Sequence, residues 1–217
     1  MDPHNILALD TACGDISATI IKDGKIFTSE SAENPSGKTR STTIVPVLES
    51  LLQQAKLDWQ QLNVLALGAG PGSFTGLRIA ASTLAGINSG LKLPIIHLSS
   101  LALTARQADS DEPVWVLEDA RAGEAFIGRY HNHQMAQPDS CLRWDDMEAV
   151  TPGYFCCHAE PPVDLPGWTR LPLTMSRSSA LACEAISVCS AGLVKDMSIY
   201  PTPIYLQLSQ AERNAHA

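Results

Sequence analysis

An apolar run that leads directly into a glycine-rich turn and a helix start is the feature that most limits the folds open to this chain. The run 64-VLAL-67 is followed by 68-GAGPGSFTGLRIA-80, where apolar residues begin to recur at helical spacing. A fully apolar run suits a strand buried on both faces of a sheet. The turn after it either faces a phosphate at the helix N-terminus or lets the helix pack closely on the sheet.

The turn matches neither of the specific phosphate-binding patterns. It lacks the G-x-x-x-x-G-K-[ST] sequence of a P-loop. The dinucleotide pattern fails because Ser73 or Thr75 stands where its last glycine is needed, counting from Gly68 or Gly70. A nicotinamide site is therefore not expected, while close packing and a phosphate-facing role stay equally open.

Residue periodicity predicts the order β-β-β-α-β-α-β-α for the first half of the chain. The strands are expected at 5–10, 15–22, 25–31, 63–67 and 94–98, and the helices at about 41–56, 73–90 and 99–107. Asp23-Gly24 favours a type I′ hairpin turn. Thr42 or Thr43 is expected to cap the first helix, with Pro46 in its first turn, and Gly90 to end the second. The order predicts a mixed five-stranded sheet with helices on its faces.

The second half appears in the sequence as a weaker copy of the first. The segment 114–134 again reads as an apolar strand, an acid, a tight turn at 121–123 and an alternating strand. Five prolines and two glycines in 151–175 predict irregular structure, and 178–191 predicts a helix. We therefore expect a first lobe at 1–107 and a reduced second lobe at 108–217, with a C-terminal helix and a polar tail.

Two acids follow predicted strands at corresponding places. Asp10, beside Thr11, ends the first strand, and Asp119 is assigned the equivalent place in the second half. Strand-end carboxylates can serve metal–phosphate chemistry or merely cap a turn. His131 and His133 would share one face of a strand, but a surface pair is the simpler interpretation, and His97 is expected to be a core histidine.

Bulk composition excludes several classes of function. The chain has 217 residues, a formal net charge of −8 and 45% hydrophobic residues, so it is a poor stand-alone binder of nucleic acid or anionic membranes. Its N-terminus lacks the pattern of a signal peptide, and no run is long enough to cross a bilayer. We expect a cytoplasmic protein whose six cysteines are reduced and mostly buried.

The helix after the glycine turn carries small residues, which would allow another helix to approach closely. Packing within the domain and docking of a partner both fit this pattern. If a partner docks, the candidate contacts on the two helices are Leu48, Leu51, Leu77, Ala80, Leu84 and Ile87. Some of these side chains must instead face the sheet.

Four segments together resemble the TsaB/YeaZ family, which is needed to form threonylcarbamoyladenosine in bacterial tRNA. They are 6-ILALDTA-12, 68-GAGPGSFTGLRIA-80, 117-LEDARAGEAF-126 and 203-PIYLQ-207. The resemblance is clear over 5–130 and thin from about 135 to 200. It implies the two-lobed actin-like, Hsp70-like ATPase fold (RNase H-like), with mixed sheets flanked by helices.

The resemblance further implies a scaffold without catalytic residues or metal. Such a chain would pair with a TsaD-like catalytic paralogue through its first-lobe helices, with a TsaE-like ATPase joining the assembly. In isolation it would form a homodimer, and it would meet tRNA only through its partners. It requires no cofactor, although ATP or ADP could sit at a subunit interface. Arg40 stands about where many relatives keep a histidine.

Two other functions remain as alternatives. In an active ATPase or phosphotransferase of the same fold, the residues that face phosphate and Mg²⁺ would be Asp10, Thr11, Gly70, Gly72, Ser73 and Asp119. A peptidase would need metal ligands or a nucleophile triad, and the sequence contains no G-x-S-x-G motif.

Overall fold

A computed structural model describes residues 5–29, 40–194 and 197–207. Its first half consists of β1 (Ile6–Asp10), β2 (Ser17–Lys22), β3 (Lys25–Thr28), α1 (Arg40–Ala55), β4 (Val64–Gly70), α2 (Phe74–Leu91), β5 (Ile95–Ser99) and α3 (Ser100–Ala108). The second half consists of β6 (Val114–Arg121), β7 (Glu124–His131), β8 (Gln134–Arg143), β9 (Tyr154–Cys156), β10 (Thr169–Arg170) and α4 (Arg177–Ser190).

The strands form two five-stranded sheets with the same internal order. The orders are β3-β2-β1-β4-β5 and β10-β9-β6-β7-β8. In each sheet an antiparallel meander of three strands is extended by two parallel strands on the other side of its first strand. This repetition confirms the two related halves expected from the sequence. The second half is simpler, because a short 3-10 helix, Trp144–Ala149, follows its meander where the first half has α1.

The last helix of each half packs against the sheet of the other half. Helices α1 and α2 cover one face of the first sheet through a shared apolar cluster. The opposite face packs against α4, which buries Leu181, Ala182 and Ala185 on it. In turn α3 buries Leu101 and Ala105 against the second sheet. This exchange ties the halves together, and the lobe boundary at 107/108 stays a prediction.

Most elements lie where the sequence predicts them, and the errors concern helix ends, the two short strands β9 and β10, and the long strand β8. Helix α1 begins at Arg40, so Thr42 and Thr43 lie inside it rather than at its cap, and Pro46 lies beyond its first turn. Helix α2 runs past Gly90 to Leu91, and Lys92 caps its end in the left-handed conformation. The region 151–175, predicted to be irregular, contains the short strands β9 and β10, and the sequence did not predict β8.

The turn predictions are confirmed by positive backbone angles. Asp23 has φ 48° and Gly24 φ 75°, as a type I′ turn requires, and residues 121–123 are all left-handed. Most of the polar segment 34–43, the side chain of Arg40 and the tail beyond residue 207 lie outside the described residues. None of the helices in the described ranges is both long and apolar enough to cross a bilayer.

The packing of α4 on the first sheet gives a direct test. Leu181 is fully buried in that contact, so Leu181→Ala should lower the free energy of unfolding by about 2–5 kcal/mol. Leu193→Ala, at a position 62% exposed just beyond the helix, should change it by about 0.5 kcal/mol or less. Chemical denaturation of both variants measures the difference, and equal effects would contradict the assigned packing.

Candidate functional site

A cleft of about 620 Å³ opens where the loops of the two sheets meet. Its walls come from the loop after β1, the glycine turn before α2, the end of β6, the residue stretch after β9 and the C-terminal segment 204–207. The polar and small residues that line it include Cys13, Gly72, Ser73, Glu118, Asp119 and His158. Three of the sequence-predicted phosphate-facing residues are therefore at the cleft, and Asp10, Thr11 and Gly70 are not among its lining.

Asp10 is buried and neutralised by an arginine from the far end of the chain. Its side chain is 1% exposed, and its Oδ2 accepts a hydrogen bond of 2.5 Å from Nε of Arg177, in the first turn of α4. The other guanidinium nitrogens donate to Thr104 and to the carbonyl of Ser100 on α3. Asp10 therefore stabilises the junction of β1, α3 and α4 rather than facing the cleft.

The pKa of Arg177 reflects this arrangement. Burial alone would lower it, but the negative charge of Asp10 and the hydrogen bond between them raise it above its usual range. The arginine thus stays charged, and the pair is one hydrogen-bonded ionic unit. Such a unit is costly to bury and far costlier to break on one side.

The glycine turn is used for close packing within the chain. A Cβ at Gly68 would lie 2.0 Å from Oδ1 of Asp10, and one at Gly70 would lie 2.6 Å from the carbonyl oxygen of Ile204. At Gly72 it would lie 2.7 Å from Cβ of Ala12. Because these three glycines have no side chains, the Asp10 carboxylate, the C-terminal segment and the loop after β1 can each lie directly against the backbone of the turn.

Three backbone donors at this turn, those of Gly70, Ser73 and Gly76, have protein acceptors. The N–H of Gly70 donates to Oγ of Ser100, and that of Ser73 to the carbonyl of Ala12. Oγ of Ser73 caps α2 by accepting from the N–H of Gly76, whose carbonyl accepts from the Thr11 hydroxyl. The C-terminal segment also crosses the turn, because Ile204 donates to the carbonyl of Ala69.

The second half places Glu118, not Asp119, where Asp10 lies in the first. Each is the fifth residue of its strand, β6 or β1, and the alternation of β6 turns Asp119 to the other side. There Asp119 pairs with the neighbouring Arg121. Glu118 accepts from Nδ1 of His158 at 2.6 Å and from the Thr104 hydroxyl at 3.2 Å.

His158 lies between Glu118 and an exposed cysteine. Its Nε2 lies 3.1 Å from Oε1 of Gln107, and ligand atoms of His158, Glu118 and Cys13 all lie within 4.8 Å of one another. Burial acts to lower the pKa of His158, but hydrogen bonds and charge from Cys13 and Glu118 outweigh it and raise the pKa to about 10.

Sequence reasoning missed Arg177, His158 and Cys13 as site residues. Counting from the start of each apolar strand would have found Glu118, but Arg177 and His158 belong to no motif.

His131 and His133 do not share a strand face, because β7 ends at His131 and His133 lies in a turn with positive φ. His97 is partly buried and contacts Tyr200 and Thr202 of the C-terminal segment. Of the six cysteines, two are buried.

The predicted partner contacts require correction. Leu48, Leu51, Leu77, Ala80 and Leu84 are at most 1% exposed, because they face the first sheet in the apolar core beneath α1 and α2. They cannot be surface contacts in this arrangement, and only Ile87 is partly exposed. The exposed side of α2 carries other residues, among them Ser82, Ala85, Gly86, Ser89 and Gly90.

Comparison with known proteins finds one matching family model and several relatives that are similar to this chain over part of their length. A family model for TsaD, tRNA N6-adenosine threonylcarbamoyltransferase, matches residues 34–142, half of the chain. The tRNA threonylcarbamoyladenosine biosynthesis protein TsaB of Haemophilus influenzae is 34% identical over 59% of this chain and 55% of its own length. TsaB of Escherichia coli is 32% identical over 59% of this chain and 56% of its own length. The matches thus span little more than half of these relatives.

The fold of the chain is that of a solved structure. YeaZ from Pseudomonas aeruginosa superposes with a TM-score of 0.75, at 22% identity, over 94% of this chain and 100% of that one. Together with the two repeated five-stranded sheets, this match shows that the chain has the fold of that structure, with two mixed sheets flanked by helices as expected.

Breaking the buried ion pair tests its role. Arg177→Met leaves the buried Asp10 carboxylate without its charged partner and should lower the free energy of unfolding by about 3–5 kcal/mol. Adding Asp10→Asn should recover part of that loss. Arg143→Met removes a solvent-exposed pair with Asp145 and should leave stability nearly unchanged, because water screens such a pair. Urea denaturation of the four proteins gives the comparison, and an equal loss in both single variants would contradict it.

The raised pKa of His158 predicts a pH-dependent contribution to stability. The protonated ring is favoured in the folded state, so the contribution is complete below about pH 6.5, the unfolded value, and is lost as pH rises through about 10. The difference in unfolding free energy between wild type and His158→Gln should therefore shrink over that interval. In a Glu118→Gln background the pH dependence of this difference should weaken. A difference that is constant from pH 6 to 10 would show that the imidazolium is not stabilised by these partners.

Proposed function

Since this chain belongs to the TsaB/YeaZ family and carries a TsaD-type domain, we propose that it is a non-catalytic subunit of the cytoplasmic assembly that forms N6-threonylcarbamoyladenosine in tRNA. In this proposal it holds a TsaD-type catalytic paralogue in its productive state by helix-to-helix docking through α1 and α2. A TsaE-type ATPase joins the assembly, and tRNA is bound by the partners, in keeping with the acidic net charge of −8.

The observation that carries this proposal is the presence of two glycines in the exposed part of α2. A Cβ at Gly86 or at Gly90 would meet nothing within 4 Å. A glycine inside a helix costs about 0.5–1 kcal/mol relative to alanine. Nothing in the described chain accounts for this cost, whereas a partner helix approaching the backbone would account for it.

The neighbouring surface has the character of a docking face rather than of a solvated one. Ser82, Ala85 and Ser89 surround the glycines with small side chains. On the adjacent helix Val45 is 39% exposed, next to the exposed Pro46. A smooth, partly apolar pair of helices can form a four-helix contact with an equivalent pair on another chain. The partner is the TsaD-type paralogue, and in its absence a second copy takes its place.

The arrangement of the first lobe supports a subunit rather than an enzyme. Asp10, the acid that an active relative would use near phosphate and metal, is neutralised by Arg177. The donors of the glycine turn at Gly70 and Ser73 are bonded within the chain. The alternative, an ATPase, would place its nucleotide in the cleft beside Gly72, Ser73 and Asp119. Isothermal titration with ATP and Mg²⁺ separates the two, since tight binding with turnover favours the enzyme.

Substitutions on the exposed side of α2 test the docking face. Gly86→Ala should stabilise the isolated chain by about 0.5–1 kcal/mol. Gly86→Arg should abolish co-purification with the TsaD-type protein of the same cell and reduce threonylcarbamoyl transfer, without unfolding the chain. The matched control is Ser187→Arg, at an exposed position of α4, which should leave both unchanged. Ala80 is unsuitable for this test, because a charged residue there would enter the core.

The outcomes distinguish the partners. Loss of association in Gly86→Arg alone, with normal circular dichroism, supports docking through α2. Loss of self-association without loss of TsaD binding, measured by sedimentation, would restrict this face to the homodimer. Undiminished association in both variants would place the contact elsewhere and overturn the assignment.

A further inference from the structure

We propose that Cys13, Glu118 and His158 form a zinc site with three protein ligands and one coordination position open to the cleft. The three ligand atoms lie within 4.8 Å of one another. They come from the loop after β1, from β6 and from the stretch after β9, so folding of both halves assembles them. This site is separate from the α1–α2 docking face and does not depend on the proposed function.

The donor set selects the metal. A thiolate sulfur, an imidazole nitrogen and a carboxylate oxygen are the ligands that zinc takes in proteins, and soft thiolate disfavours magnesium and calcium. Zinc sites with three protein ligands keep water or another ligand at the fourth position. Here that position faces a cleft of about 620 Å³, and the exposed Cys13 gives the ion a route of entry.

Two residues outside the proposed ligand set, Gln107 and Thr104, hydrogen-bond to the ligands and can hold them in place. Nε2 of His158 lies 3.1 Å from Oε1 of Gln107, so when Nδ1 binds the ion, Nε2–H donates to that amide oxygen. Oε1 of Glu118 is fixed by the hydroxyl of Thr104. Such partners orient a metal-binding histidine and carboxylate. In the metal-free state a proton joins Nδ1 to Oε1, and the ion takes its place.

The charge of the junction suits a divalent cation. Arg177 and Asp10 cancel one another as a buried pair. With Cys13 as thiolate and His158 neutral, the site carries two negative charges, from Cys13 and Glu118. One Zn²⁺ balances them, and because metal ligands bind in their deprotonated forms, its binding is coupled to proton release.

Metal binding by the full chain tests this site. After chelator treatment and dialysis, the protein should bind one equivalent of Zn²⁺ by isothermal titration. With Co²⁺ as probe, it should show the near-ultraviolet charge-transfer band of a cobalt–thiolate bond. Cys13→Ser should abolish that band. Gln107→Ala removes the outer partner of His158 together with bonds to Met175 and Arg177, and it should weaken Zn²⁺ binding by about 10–100-fold in a variant that a thermal melt shows to be folded. The matched control Cys183→Ser, a partly buried cysteine on α4, should bind like the wild type.

His158→Gln should also lose binding, and a thermal melt shows whether it folds. Because Cys13 is exposed, Cys13→Ser carries the test even where the histidine variant is unstable. Zinc binding of equal strength in wild type and Cys13→Ser, a cobalt spectrum without a thiolate band, or absence of binding by the wild type would each overturn the site.

Discussion

The buried ion pair between Arg177 and Asp10 is the contact on which the arrangement of the two halves depends. Asp10 ends β1, and Arg177 begins α4, the helix that closes the second half and packs on the first sheet. The same guanidinium donates to Thr104 and Ser100 of α3, the helix that packs on the second sheet. A buried guanidinium must have its donors satisfied, so β1, α3 and α4 are held in one relative position.

That position explains the glycine turn. The Asp10 carboxylate lies so close to β4 that only glycine fits at position 68, and the C-terminal segment crosses so close to position 70 that a side chain would meet the Ile204 carbonyl. Phe74 packs on Tyr205 of this segment, with Arg78 over the Phe74 ring. The chain itself therefore binds the N–H groups of Gly70 and Ser73 and fills part of the space beside a turn whose sequence resembles an anion-binding loop.

The two halves use the same strand order for different purposes. In the first half the strand-end acid is fully buried against arginine, and two long helices cover the sheet and leave one side exposed. In the second half the corresponding acid, Glu118, contacts a histidine at the cleft, and a short 3-10 helix takes the place of a long one. The surface proposed for docking thus belongs to the first half, whereas the ligand cluster needs residues from both.

Local patterns determined the elements, because alternation and 3.6-residue periodicity depend on neighbouring residues alone. The sequence by itself gave the strands and helices of the first half, the Asp23-Gly24 turn, the repeat in the second half and the family resemblance. It did not predict β8, whose residues are largely exposed. It also misplaced the cap of α1 and the end of α2.

Tertiary structure alone decided what the functional candidates do. Asp10 meets a partner 167 residues away, and no local rule predicts such a pairing. Which partner each of Glu118 and Asp119 meets depends on strand register, because neighbouring side chains point to opposite faces. Both line the cleft, but Glu118 contacts His158 and Asp119 pairs with Arg121. Likewise Leu48 and Leu77 had helical spacing that fits a core or a docking face equally well. In the folded chain both side chains are buried. Burial depends on which helices and sheets pack together, so the local sequence of a helix does not determine it.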